Sequence, residues 1–350
     1  MSRIIIVTFS DNWFQSYGGT DKKFDVFRLI DLLKRSDINA ELINIKDLKS
    51  ASIKPDDYVF YSSSEVPEIR EYIKDTLSLI RGYNLIPEFD LLLAHENKGY
   101  QALLARYRSI AGPETDYLFD VDSAYNIRKK PFVAKTVDGA GSSGVFLINN
   151  NRDLKKVREK ISFSRYLKML KKYIQIKVSL FVSLGSNKKL GTYEYNQLKA
   201  SSFSNYIFKH KGFKRFVAQD FIKDLGYDYK VLVFGDRYYC LKRYTRKNDF
   251  RASGSGKFDP IKPSAELLDY CEEVKSKFDA CALSLDVFEK DGFGLIEFQA
   301  LNFGPVTIKY ATNYYKKIDS SWNEYPASKE IEENYSYAIS HYLKDKNCDR

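Results

Sequence analysis

The sequence predicts a mixed α/β protein, and three observations carry that reading. A strand–helix–strand order opens the chain. Two hairpin signals, Gly235-Asp236 and Asp291-Gly292, sit between apolar and alternating runs in the C-terminal half. A glycine-rich loop, Gly139 to Gly144, separates two further strand-like runs. At 350 residues the chain can bury a large core and form two or three compact units.

In chain order, Ile4 to Thr8 reads as a buried strand and Phe24 to Lys34, with Phe27, Ile30, Leu32 and Leu33, as a helix. Ala40 to Ile45 and Tyr58 to Tyr61 are again strand-like, so a parallel unit is expected. No glycine fingerprint follows its first strand, so dinucleotide binding is poorly supported there. A helper domain contributing to the acceptor-substrate site is expected instead. Leu91 to Ala111 has helical periodicity after Glu96, and Gly112-Pro113 ends it at a domain boundary. Lys98 falls near that helix start and opposes its dipole, so it is either a solvated lysine or the partner of an anion.

Pro131 to Asn149 contains Gly139, Gly141, Ser142, Ser143 and Gly144 in a literal GxGxxG. A Rossmann fingerprint must open a helix, whereas Val145 to Ile148 reads as a strand. The segment is therefore a glycine loop between strands. It is either a phosphate-covering loop served by Lys135 on the incoming strand, or a plain hairpin loop. Residues 151–214 show no clear period. The basic run Lys168 to Lys177 and the group His210, Lys211, Lys214 and Arg215 are interleaved with aromatics, as a single-stranded nucleic-acid groove can be. A solvated face over tyrosine packing is the preferred reading, with a cradle for an acidic co-substrate as another.

Val217 to Ile222 is an extended run enclosing the polar pair Gln219-Asp220. A two-residue turn at Gly235-Asp236 places Asp228 opposite Arg243, which predicts a salt bridge. Arg246 and Arg251 follow in a loop with Asn248 and Ser253, and arginine suits planar recognition of carboxylate or phosphate. Gly254 to Lys257 is not a P-loop, because Arg251 and Phe258 stand where glycine and Ser or Thr are needed. Ser264 to Phe278 reads as a helix with Leu267, Leu268, Cys271, Val274 and Phe278 on one side. The tail from Ser328 to Leu343 is helical.

Ala282 to Pro305 is the most informative stretch. A two-residue turn at Asp291-Gly292 places Asp286 opposite Glu297, Leu285 opposite Phe298 and Val287 opposite Ile296. Asp286, Glu297 and Gln299 then share the polar face. Facing carboxylates repel, so this face either holds a hard cation such as Mg²⁺ or is simply acidic and solvated.

The hydrophobic fraction of 44%, charged fraction of 29% and net charge of +10 describe a globular protein suited to an anionic partner. Four cysteines without a CxxC pair, and three scattered histidines, argue against a zinc site and for a reducing compartment. No run is long enough for a signal peptide or membrane span, so a soluble cytoplasmic protein is expected.

The ordered set of motifs resembles the ATP-grasp superfamily, closest to the branch of glutathione synthetase and the enzymes that add glutamate to protein tails. The likeness spans roughly Asn97 to Pro305. Asn97-Lys98 matches the family's Asp-Lys pair, and Lys135 its lysine before the glycine loop. Gln219-Asp220-Phe221-Ile222 matches its adenine-binding hinge Gln-Glu-Phe-Ile. Asp228 with Lys230, Lys242-Arg243, and Asp249-Phe250-Arg251 match its later motifs, with Ser253 where an Asn often stands. Asp286, Glu297 and Gln299 match its metal triad, Gln299 replacing an Asn that Asn302 can also supply.

The resemblance implies an ATP-grasp fold: two α+β subdomains clamping ATP behind a Rossmann-like N-terminal domain. The expected domains are residues 1–112, 113–222 with the glycine loop and basic insertion, and 223–350 with the metal site. It implies an ATP-dependent carboxylate–amine ligase working through an acylphosphate. Mg²⁺, or Mn²⁺ in its place, falls to Asp286, Glu297 and Gln299. The nucleotide falls to Lys98, Lys135, Gly139, Gly141, Ser142, Ser143, Gln219, Asp220, Phe221, Ile222, Asp228, Lys242 and Ser253. Arg251 and Arg243 are the expected catalytic pair. Partners are a small-molecule or peptide acid and amine, with a sugar acid or polysaccharide precursor among them; a homo-oligomer is compatible, and nucleic acid is not favoured. The competing functions are a hydroxyl kinase on the same fold and a non-catalytic polyanion- or nucleic-acid-binding protein.

Overall fold

The computed structural model describes residues 3–15, 24–48, 53–119, 127–138, 144–157, 171, 174, 178, 215–247 and 249–348. The chain divides into two compact units. One comprises Met1–Thr115, Val137–Gly144 and Ile222–Arg350; the other comprises Asp116–Thr136 and Val145–Phe221.

The first unit opens with four parallel strands, β1 (Ile4–Thr8), β2 (Ala40–Asn44), β3 (Tyr58–Phe60) and β4 (Asn84–Ile86), in the order β2-β1-β3-β4. Helix α1 (Val26–Lys34) is capped by Asp25, whose carboxylate accepts from the backbone N–H groups of Phe27 and Arg28. Its buried stripe is Val26, Leu29, Ile30 and Leu33. Phe27, expected inside, is exposed, because 3.6-residue spacing turns it away from that stripe. Helix α2 (Pro67–Ser78) and strand β4 are not among the expected elements; β4 is only three residues long. Helix α3 (Phe89–Ala94) precedes α4 (Lys98–Tyr107), which Asn97 caps through Tyr100 N–H.

Helix α4 ends well before Gly112. That glycine serves a different purpose: a Cβ there would lie 2.6 Å from the Leu295 carbonyl oxygen. The Ala111 carbonyl accepts from Leu295 N–H at 2.9 Å, so the chain passes against a strand edge where only glycine fits.

That strand belongs to the seven-stranded sheet, ordered β13-β12-β9-β10-β14-β15 with β11 also on β10. Its strands are β9 (Tyr227–Phe234), β10 (Arg237–Tyr244), β11 (Phe258–Pro260), β12 (Ala282–Glu289), β13 (Phe293–Gln299), β14 (Asn313–Ile318) and β15 (Ser321–Pro326). One face packs Val231, Val233, Cys240, Leu283, Leu285, Val287 and Phe298 against helix α5 (Ala265–Ser276). The five apolar positions expected of that helix region are all buried, and Ser264 is its N-cap. The other face puts Leu232, Phe234, Tyr239 and Ala282 into a core shared with the N-terminal sheet, helix α6 (Val306–Tyr310) and the final helix α7 (Ile331–Cys348).

The second unit holds an antiparallel sheet ordered β5-β8-β6-β7, where β6 is Phe132–Thr136, β7 Val145–Ile148 and β8 Phe216–Asp220; β5 (Thr115–Leu118) begins at the unit boundary. Phe132, Ala134, Phe216 and Ala218 face its core with Leu154 and Val157.

Gly112→Ala should lower stability by about 1–3 kcal/mol, the usual cost of overpacking. Urea unfolding checks this; an unchanged midpoint would refute the close strand approach.

Candidate active site

The site lies where the face holding Leu232 and Tyr239 stops being apolar. Along β9 the same side continues with Lys230 and Asp228, along β10 with Arg243, along β12 with Asp286 and along β13 with Glu297 and Gln299. Register aligns Glu297, Asp286 and Lys230 in one row across three strands. Arg243 lies opposite Asp228, as the hairpin turn predicts.

These side chains form a closed ion cluster. Arg243 donates through Nε and Nη2 to the two Asp228 oxygens at 2.7 and 2.8 Å, and its Nη2 also lies 2.7 Å from Asp286 Oδ2. Lys230 Nζ donates to Asp286 Oδ1 at 2.7 Å. Burial alone would raise the Asp286 carboxyl, but Arg243 and Lys230 outweigh it and hold the group well below the usual carboxylate range. For Asp228, burial is the larger effect and raises the carboxyl despite Arg243. Lys98, at the start of α4, places Nζ 3.6 Å from Glu297 Oε1, supplying the anion its helix position called for. Glu96 just before it is raised by burial, opposed by Lys98 and reinforced by Glu297.

The hairpin of β12 and β13 differs from expectation in detail. Its turn spans Lys290 to Gly292, with Asp291 and Gly292 at positive φ, and Glu289 pairs with Phe293. Val287 accordingly faces Leu295, not Ile296. A bulge then shifts the register between Val287 and Asp286, restoring Asp286 to Glu297 and Leu285 to Phe298. Leu295 takes the buried place expected of Ile296.

Among the described residues, no group of three or more His, Cys, Asp or Glu side chains is arranged to hold a metal. The expected set instead combines two carboxylates with the Gln299 amide. All three donors are oxygens, and Asp286 is kept ionised. Its lone pairs outnumber the two cationic contacts, so the set fits a hard cation.

The remaining expected residues are spread more widely. Arg251 forks onto Asp249, with Nη2 to Oδ2 at 2.6 Å. Ser253 lies in the same loop, its carbonyl accepting from Arg246 at 3.1 Å. Lys242 Nζ sits 3.6 Å from the Tyr227 ring centroid. In the second unit, Lys135 pairs with Val217 and Val133 with Gln219, so Lys135 and Gln219 occupy the sheet face opposite its core. Asp220 accepts from Arg128 at 2.7 Å, and Arg128 also donates to Asp116. Phe221 and Ile222 follow β8 and straddle the boundary of the two units. Gly139, Gly141, Ser142 and Ser143 lie outside the described residues, as does nearly all of the basic stretch 158–214. Lys230 and Glu96 belong to this cluster of charges although no sequence motif assigns either a role there. Only the β9–β12 pairing would have pointed to Lys230.

Arg243→Met leaves two buried carboxylates sharing Lys230 and should cost about 3–5 kcal/mol in urea unfolding at neutral pH. An ordinary surface-mutation effect would contradict the cluster. Because the folded Asp286 pKa is depressed, its stabilisation is complete above the unfolded carboxylate range near pH ~4 and is lost as pH falls through the folded value. Stability of the native chain should therefore drop more steeply below pH ~4 than that of Asp286→Asn, as acid titration of the unfolding midpoint would reveal.

The sequence matches no family model and no curated protein. Among solved structures, D-cycloserine synthetase DcsG is similar with a TM-score of 0.54 at 10% identity, covering 98% of this chain and 100% of that one. The macrocyclase MdnC bound with precursor peptide MdnA from Microcystis aeruginosa MRC has a TM-score of 0.51 at 10% identity, covering 98% and 99%. No described helix is long and apolar enough to cross a membrane. The alternation of sheets and helices and these structural likenesses together give the chain the ATP-grasp fold.

Proposed function

We propose that the protein is an ATP-dependent ligase joining a carboxylate to an amine. The observation that carries this is the Asp286–Glu297 pair, set across one ladder on a charged sheet face beside Lys98 and Arg243. The similar solved structures are a synthetase and a peptide macrocyclase, which suits bond formation on small or peptide substrates.

Asp286, Glu297 and Gln299 would hold Mg²⁺, which neutralises charge on the transferred phosphoryl group when bound. Lys98 orients Glu297 and offers a cation to phosphate oxygens. Lys135, on the face of β6 opposite its core, is assigned a phosphate contact, and the Gln219–Ile222 backbone is assigned adenine recognition. A substrate carboxylate oxygen attacks the γ-phosphorus and ADP departs, leaving an acylphosphate. The amine then attacks the acyl carbon, phosphate leaves, and the amine gives up a proton. Arg251 is assigned the anionic oxygens of that intermediate, and Arg243 keeps Asp286 ionised while facing the same site.

A screen of acid and amine pairs for Mg²⁺-dependent ADP release tests the reading. Release of phosphate that depends on the amine separates a ligase from a hydroxyl kinase. Glu297→Gln should lower turnover by about 100-fold with the fold intact, and unchanged turnover would count against the assignment. Lys135→Ala should weaken nucleotide binding by about tenfold or more, the loss of one charge-assisted contact. An unaltered affinity, measured by calorimetry, would remove Lys135 from the nucleotide site.

A further inference from the structure

A cleft of about 430 Å³ opens at the amino ends of β3 and β4, within the roughly 300–1,000 Å³ usual for small-molecule sites. Tyr58 and Asn84, the first residues of those strands, line it with Arg81 and Tyr83 from the turn after α2 and with Tyr342 and Lys346 from the second half of α7. Strand β4 is the sheet edge, and the Asn84 amide pins it by donating to the Pro55 and Asp57 carbonyls at 2.9 and 3.1 Å. Tyr83 N–H closes the preceding turn on the Ile80 carbonyl at 3.0 Å. Parallel α/β sheets ordinarily bind ligands at the carboxyl ends of their strands. This cleft lies at the other end, and none of its lining residues belongs to the ion cluster of the candidate active site.

Only 3% of Tyr58 is exposed. Its ring meets Tyr342 edge to face with centroids 6.2 Å apart, and its hydroxyl has no hydrogen-bond partner among the described residues. A buried phenol ordinarily finds an acceptor. The Tyr58 side chain, which borders the cleft, therefore brings an unused donor to it. The charged groups of the lining are engaged, with one exception. Glu88 accepts from both terminal nitrogens of Arg108 and from Asp279 N–H. Asp279 Oδ1 accepts from the Tyr342 hydroxyl at 2.8 Å and lies 3.0 Å from Lys346 Nζ. The exposed Arg81 guanidinium has neither an ion pair nor a hydrogen bond among the described residues. The free charge of the cleft is thus positive, although two carboxylates line it.

We propose that this cleft binds a small aromatic carboxylate. Arg81 takes the carboxylate through its planar fork, and the Tyr58 hydroxyl donates a further hydrogen bond to the ligand. The ring of Tyr83, 38% exposed, stacks on the aromatic body. A cationic ligand has no open partner, because Arg108, Lys346 and Tyr342 already hold the acidic groups. A purely apolar ligand would leave the Tyr58 hydroxyl unmatched. The site stands independently of the ligase reading.

Calorimetric titration of the full chain with sodium phenylacetate, sodium acetate or benzylammonium chloride, at constant ionic strength, tests the site. Saturable binding of phenylacetate is expected, with acetate at least about tenfold weaker and benzylammonium not bound. Arg81→Gln, at an exposed position, should weaken phenylacetate by about tenfold or more, the loss of one charge-assisted contact. Tyr58→Phe removes the hydroxyl alone and should weaken it several-fold. No saturable heat with phenylacetate, equal affinity for acetate, or an affinity that either variant leaves unchanged would overturn the proposal. Preference for benzylammonium would overturn it as well, by assigning the cleft to its carboxylates. Mg-ATP is then titrated into the same proteins. An Arg81→Gln chain that loses phenylacetate and keeps the nucleotide response of the native chain upholds a separate site, whereas loss of both overturns it. Phenylacetate binding without any nucleotide response in the native chain upholds the cleft and refutes the ligase reading alone.

Discussion

Everything at the candidate site depends on one buried ion cluster. Arg243 stands between Asp228 and Asp286, and Lys230 completes the charge balance. Removing such groups from water costs several kcal/mol per ion, offset only when each finds close partners. The cluster therefore demands that β9, β10 and β12 stay in one register, since a one-residue slip would send its members into the core under α5. The same pairing keeps Asp286 ionised in a place where burial alone would favour its neutral form. An ionised carboxylate held on a sheet in fixed register suits a hard cation.

The bulge in the neighbouring hairpin has an equally definite consequence. With the turn from Lys290 to Gly292, an unbroken ladder would set Asp286 against Ile296 and Glu297 against Leu285. Glu297 would then point into the apolar layer that holds Phe278 and Phe298. The single extra residue returns Glu297 to the polar face, beside Asp286 and within reach of Lys98. Bulges recur where a functional side chain must be re-aimed, and here it re-aims a carboxylate.

This also explains what could be read from residue order alone. A two-residue turn gives the correct Asp286–Glu297 pair because the longer turn and the bulge cancel; only Val287 exposes the difference. Local signals such as the Ser264 cap, the Gly235-Asp236 turn and the Asp228–Arg243 pair were legible, because neighbours in sequence determine them. Lys230 was not, since its contact with Asp286 arises from β9 and β12 lying side by side across 56 residues. Arg70 was equally hidden: within α2 it resembles a surface arginine, and only tertiary packing buries it. Gly112 was legible as punctuation, although its physical cause is the distant Leu295 carbonyl.

The end of β3 and the charged sheet face share one frame. Phe60, two residues before Ser62, packs on Phe14 and Tyr335; Tyr335 packs on Phe234, on the strand that carries Asp228 and Lys230. Phe303 closes this aromatic group against both Phe234 and Tyr335. Close-packed interiors resist deformation, so this shared aromatic group ties the β3 terminus to the charged sheet face. Glu96 completes the link from the other side. Its left-handed backbone, φ 52°, is an unfavourable conformation for a non-glycine residue, and it separates buried His95 from Lys98 on the Glu297 carboxylate.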